Sequence, residues 1–108
     1  MKKTIMLAVV LGFAAALSAS AADGKATWTK SCAKCHGADG KGQTTIGKKL
    51  GTKDYSDAKV QAALTDDAIA KAIKEGVTKD GKTMMKPTEG LSDADVTAVT
   101  AYMRTLKQ

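Results

Sequence analysis

Cys32-Ala33-Lys34-Cys35-His36 is the stretch of this chain whose residue types and spacing can do chemistry. Two thiols three positions apart, with an imidazole on the next residue, form the C-x-x-C-H signature for attachment of c-type haem. The spacing has a physical reason. Two thiols at a helix end can each add to one vinyl group of the same porphyrin. The following residue then swings its imidazole beneath the ring, where a nitrogen reaches the iron. His36 is the only histidine in the chain, so the motif also holds its only imidazole. Other chemistries use such thiols. In an oxidising compartment Cys32 and Cys35 could form a structural disulfide. A dithiol oxidoreductase carries C-x-x-C near a βαβ pattern, and this chain has no sustained strand alternation. A structural zinc site usually takes four protein ligands, and two Cys with one His lack a second cluster.

The elements that must position this motif read as helices separated by Gly- and Lys-rich loops. Asp23 is placed to cap a helix that carries Trp28 and runs into Cys32. Residues 37–53 hold five glycines and read as an irregular loop. A loop of that length is often wrapped around something. A short helix is expected over Ala58–Leu64. Two later helices share an entry pattern, Leu64-Thr65-Asp66 and Leu91-Ser92-Asp93, in which Thr65 and Ser92 serve as N-caps. Leu64 with Ile69, and Leu91 with Val96, would form hydrophobic staples. The first of these helices should stop near Gly76. The second runs toward the chain end with Val96, Val99, Tyr102, Met103 and Leu106 on one apolar stripe. Between them, Lys79–Gly90 contains Met84-Met85 and the only proline, Pro87, which argues against a helix there. Two methionines in a polar loop need an explanation, because a thioether gains little from water.

The chain has 108 residues, enough for one small domain. Met1-Lys2-Lys3, an apolar run from Ile5 to Leu17 and Ala19-Ser20-Ala21 have the layout of a cleaved secretory signal, residues 1–21. The 13-residue run is short of the ~20 residues that span a bilayer as a helix. No other segment is apolar enough to cross. The remaining Ala22–Gln108 loses Lys2 and Lys3, so the formal charge falls from +6 to +4. Only 17 Val, Ile, Leu, Met, Trp and Tyr side chains remain in it. A domain this small is near the limit of what its own core can hold together. The composition excludes a large enzyme, a membrane transporter and a disulfide-dense scaffold, and it suggests a cofactor that adds buried apolar surface.

The sequence resembles the small class I c-type cytochromes of the bacterial periplasm. The resemblance covers essentially all of Ala22–Gln108. It rests on Gly24-x-x-x-Trp28, Cys32 through Gly42, Ala68 through Gly76, Met85-Lys86-Pro87, Leu91 through Val96 and Ala101-Tyr102-Met103. It implies an all-α fold in which N- and C-terminal helices cross, with shorter helices and loops around one covalently bound haem c. Gly24 and Trp28, with Val99 and Tyr102, match the residues at that crossing. It also implies Cys32 and Cys35 as the thioether attachments and His36 as one axial ligand. The other ligand is a methionine before the last helix. Met85 fits the family's Met-x-Pro pattern, and Met84 is the neighbouring alternative. Many relatives carry Gly-Pro where this chain has Gly47-Lys48, which leaves the hydrogen-bond acceptor for the ligand imidazole unassigned.

The function implied is a periplasmic single-electron carrier, not an enzyme, that serves redox partner proteins as a monomer. The alternative is a haem protein with an open or labile sixth site, acting as a gas sensor or peroxidase-like catalyst. Lys34, Lys48, Lys49, Lys82 and Lys86 lie in segments expected around the haem. A basic ring there would favour acidic partners, and so few aromatics in an exported protein argue against nucleic acid.

Overall fold

A computed structural model describes residues 23–108; the expected signal segment lies outside them. Residues 23–27 are α-helical, Trp28–Cys32 form a π-helical turn and Ala33–His36 return to α-geometry. These 14 residues are helix α1. Then follow α2 (Thr45–Leu50), α3 (Ala58–Ala62), α4 (Asp66–Glu75), strands β1 (Val77–Lys79) and β2 (Lys82–Met85), and α5 (Asp93–Thr105).

The long helices start and stop where their sequences dictate. The Thr65 hydroxyl accepts from the Ala68 N–H at 3.1 Å, and Asp66 and Asp67 fill the first turn of α4. Negative charge there complements the helix dipole. Gly76, at φ 76°, ends α4 in a conformation that side chains disfavour. Helix α5 opens with a complete capping box. The Ser92 hydroxyl accepts from the Asp95 N–H, and the Asp95 carboxylate accepts from the Ser92 N–H.

The core forms where α1, α4 and α5 meet. Trp28, Cys32, Ile69, Ile73, Val96, Val99 and Met103 make one buried cluster, and Leu64, Leu91, Tyr102 and Leu106 pack against it. Helices α1 and α5 cross at Gly24. A Cβ on Gly24 would collide with the backbone carbonyl of Ala98 and with Cβ of Tyr102. One turn on, the Trp28 and Tyr102 rings meet at 6.1 Å. The buried polar group Gln61 is satisfied: its amide donates to the carbonyls of Tyr55 and Met103 at 2.7 and 2.9 Å. Arg104 of α5 donates to the carbonyls of Gln61 and Leu64 and to Asp66. It thereby closes the α3–α4 corner against the C-terminal helix.

Helix α1 runs through Cys32 to His36, and Gly37, at φ 83°, is the first residue to break it. Three expectations need correction. Asp23 is already helical, so it lies inside α1 and is not its cap. The glycine-rich stretch 37–53 is not wholly irregular. Thr44 accepts from the Gly47 N–H and starts α2, and Gly51 ends it in the left-handed region. The chain also has strands. Asp80 and Gly81 both take positive φ (52° and 77°), the requirement of a tight hairpin turn, and join β1 to β2 as an antiparallel pair.

Candidate haem site

The C-terminal end of α1 presents the three residues of the motif. Cys32 is buried, and Cys35 and His36 are half-buried. The π-helical turn just before them carries an Ala33 N–H to Trp28 C=O bond, one residue wider than an α-turn. The extra residue rotates the motif by roughly 100° relative to the packing face that Trp28 sets.

The backbone of the motif is held from three directions. The Trp28 indole N–H donates to the Gly37 carbonyl at 2.9 Å. The Gly42 N–H donates to the His36 carbonyl at 2.8 Å. The Thr44 hydroxyl donates to the Cys35 carbonyl at 2.8 Å and accepts from the Gly47 N–H. Helix α2 is therefore fastened to the Cys35 turn, and a Cβ at Gly47 would run into the Cys35 carbonyl. The sequence reading missed Thr44. A Thr three residues before Gly47 at a helix start was the available signal.

Cys32, Cys35, His36, Met84 and Met85 line one cleft of ≈ 610 Å³, walled also by Ile46, Leu50 and Pro87. A smaller cavity of ≈ 40 Å³ continues toward the core, and Cys32, His36 and Met85 line both spaces. The four residues expected to hold the haem thus come from α1 and β2 to one place, and the alternative Met84 comes with them. Of the five lysines expected around the haem, Lys34 and Lys86 line the cleft, with Glu89 beside them. Lys48, Lys49 and Lys82 are exposed but lie off its lining.

Burial sets the chemistry of these groups. The Cys32 thiol is pushed up to about 11, chiefly by burial and further by Cys35 beside it. It therefore stays protonated near neutral pH. Burial lowers the His36 pKa, which favours the neutral imidazole that binds metal. The ring lies 5.3 Å from Tyr55, nearly parallel at 23°, and 5.5 Å from Trp28. Burial also raises the Tyr55 hydroxyl, with Cys32 adding to it. Nothing in the sequence marked Tyr55 as a neighbour of the histidine. The Nδ1 atom of His36 is buried and has no hydrogen-bond partner among the described residues.

These residues fit a covalently held haem. Cys32 and Cys35 are free thiols, not a disulfide. A ring nitrogen of His36 stands unpaired, two thioethers line the same cleft, and its volume lies in the range of small-molecule and cofactor sites. Among the described residues no three His, Cys, Asp or Glu side chains gather as a metal-binding group. Likewise no described helix is long and apolar enough to cross a membrane.

Comparison with known proteins agrees with this chemistry. The family model described as Cytochrome c matches residues 21–107. Cytochrome c-553 of Helicobacter pylori is 38% identical over 107 residues, covering 99% of this chain and 100% of that one. Cytochrome c-554(547) of Halothiobacillus neapolitanus is 34% identical over 88 residues, covering 81% of this chain and 97% of that one. The solved KustC0563 c-type cytochrome superposes with a TM-score of 0.69 at 32% identity, over 79% of this chain and 98% of its own. The mainly helical fold with its small hairpin is the cytochrome c fold, and the chain belongs to the cytochrome c family, electron carriers that bear covalently bound haem c.

Proposed function

We propose that residues 1–21 direct export and are removed, and that residues 22–108 work in the periplasm as a monomeric single-electron carrier. Cys32 and Cys35 attach one haem c, and His36 and Met85 are its axial ligands. The carrier exchanges electrons with redox partner proteins and has no catalytic step of its own. The observation that carries this reading is the convergence of Cys32, Cys35, His36 and Met85 on one cleft. The bound haem supplies one-electron exchange between ferrous and ferric iron. The protein's residues do the rest. Buried Cys32 and half-buried Cys35 anchor the group at the end of a helix. Trp28 and Tyr55 pack against the His36 imidazole and restrict its rotation. A thioether opposite an imidazole raises the reduction potential relative to two nitrogen ligands. Ile46, Leu50 and Pro87 give the cleft an apolar wall, and Lys34 and Lys86 at its lining disfavour the extra positive charge of the oxidised state while Glu89 favours it.

The test is an optical spectrum of protein purified from the periplasm, oxidised and then reduced, with an intact mass. The expected result is a sharp low-spin reduced c-type spectrum and the weak far-red band of a thioether on ferric iron. The mass should equal Ala22–Gln108 plus one haem. A high-spin spectrum with rapid carbon monoxide or cyanide binding would replace electron transfer with ligand binding or catalysis. A colourless protein would remove the haem reading.

A further inference from the structure

Strand β2 carries one residue more than its partner requires. Lys79 pairs with Lys82 and Thr78 with Thr83, so an unbroken antiparallel ladder would next set Val77 opposite Met84. The structure sets Val77 opposite Met85. Met84 is therefore the extra residue of a β-bulge, a device that re-aims side chains and is frequent beside functional sites. Neighbouring residues of a regular strand point to opposite faces. Here Met84 and Met85 are both half-buried, and both line the cleft with Cys32, Cys35 and His36. Only Met85 also reaches the inner cavity and packs against the core cluster.

We propose that Met84 is a reserve axial ligand, brought into place when the bulge slips out of β2. The inference rests on Met85 being the resting ligand, as argued above. In the slipped register Val77 pairs with Met84, and the thioether of Met84 takes the place that Met85 holds in the bulged one. The movement is one residue of strand, about 3.3 Å. It needs no change at the Asp80-Gly81 turn, because the Lys79–Lys82 and Thr78–Thr83 pairs are common to both registers. Downstream, the Thr88 N–H is fixed to the Ile73 carbonyl at 2.8 Å. The displaced residue is thus absorbed between Met85 and Pro87, and α4 and α5 stay in place. The site consequently keeps a sulfur ligand when Met85 is lost by substitution.

The experiment uses holoprotein with haem attached and three variants: Met85→Leu, Met84→Leu and the double substitution. Leucine keeps the apolar volume and removes the sulfur, and helical circular dichroism verifies the fold. Proton NMR of the reduced protein reads the ligand, because a methionine methyl bound over the haem moves far upfield. The ferric far-red band is the second readout. Met85→Leu is expected to retain one upfield methyl and the band, both at shifted positions. Met84→Leu should resemble the wild type, and the double variant should lose both signals. Loss of both signals in folded Met85→Leu overturns the reserve role and leaves Met85 as the single ligand. Loss in Met84→Leu, with Met85→Leu unchanged from wild type, also overturns it, by making Met84 the standing ligand. Wild-type protein without either signal would instead sink the His/Met reading on which the inference depends.

Discussion

Trp28 links the packing of the helices to the chemistry of the cleft. Its ring is 3% exposed, faces Tyr102 across the helix crossing and lies beside His36. Its indole N–H holds the Gly37 carbonyl where α1 breaks. Trp28→Phe keeps an aromatic ring and leaves that carbonyl with only the Gly40 N–H, at 3.1 Å, as donor, a loss of about 0.5–1.5 kcal/mol. For a domain of 60–100 residues each kcal/mol lowers Tm by about 4–8 °C. A thermal melt of the holoprotein reads this directly, and an unchanged Tm would show that the bond contributes nothing. Asp54 gives a residue-scale prediction in pH. Its carboxylate accepts from the Ser56 hydroxyl at 2.6 Å and from the Ser56 N–H at 2.9 Å. The hydroxyl bond first and then the backbone bond lower its pKa, burial opposes them, and nearby Lys41 adds the smallest effect, also lowering it. The folded value is depressed, so the stabilisation is complete above the unfolded value of about 3.9 and is lost as pH falls through the folded value. Asp54→Asn removes the titrating group, and the acid limb of stability against pH should flatten below about 4. An acid limb identical to wild type would show that Asp54 does not contribute to it.

At the scale of elements, the close approach of α1 and α5 depends on one missing side chain. A Cβ at Gly24 meets rigid backbone at Ala98, so Gly24→Ala must push the helices apart. Overpacking of this kind costs about 1–3 kcal/mol. The expected outcome is a lower Tm together with a change in Trp28 fluorescence or near-ultraviolet dichroism, since the Trp28–Tyr102 contact opens with the crossing. A lower Tm with unaltered Trp28 signals would place the damage elsewhere. Much of this architecture was legible in the chain. The family resemblance placed Gly24 and Trp28 at the crossing, and Thr65, Ser92 and Gly76 marked helix ends through local bonds that depend only on neighbouring residues. The elements that escaped the sequence reading depend on partners far along the chain or on weak local signals. Helix α2 is only six residues long and contains Gly47, a poor helix former in isolation. It exists because Thr44 ties it to Cys35 and because the packing leaves no room for a side chain at Gly47. The hairpin is three residues against four, too short for alternation to stand out, though Asp80-Gly81 was a readable turn. The bulge at Met84 is a matter of register between two strands, which no single stretch of sequence encodes.

The molecule as a whole is organised around the cleft more than around a sealed interior. The buried cluster is small, and Trp28, Cys32, Ile69, Ile73, Val99 and Met103 all face the inner cavity as well as one another. The sequence reading anticipated this from the scarcity of large apolar side chains; the identities of the residues that face the cavity came only with the tertiary packing. A chain of this length buries only about 60% of the surface its unfolded form exposes, so it has little margin. On the proposed attachment, covalent haem would place a large apolar surface against those same residues and tie both thiols to it. Cys32→Ala with Cys35→Ala would remove the proposed attachment while substituting no residue of the helix caps, the hairpin turn or the Gly24–Ala98 approach of α1 to α5. The expected product is a compact, loosely packed chain with reduced helical dichroism, no near-ultraviolet signal from Trp28, binding of a hydrophobic dye and no cooperative melt. The matched control is the wild-type holoprotein, which should melt cooperatively under the same conditions. A sharp, cooperative unfolding transition in the haem-free variant would show that the α1, α4 and α5 core is sufficient on its own, and that haem is a passenger in the fold and not a part of it.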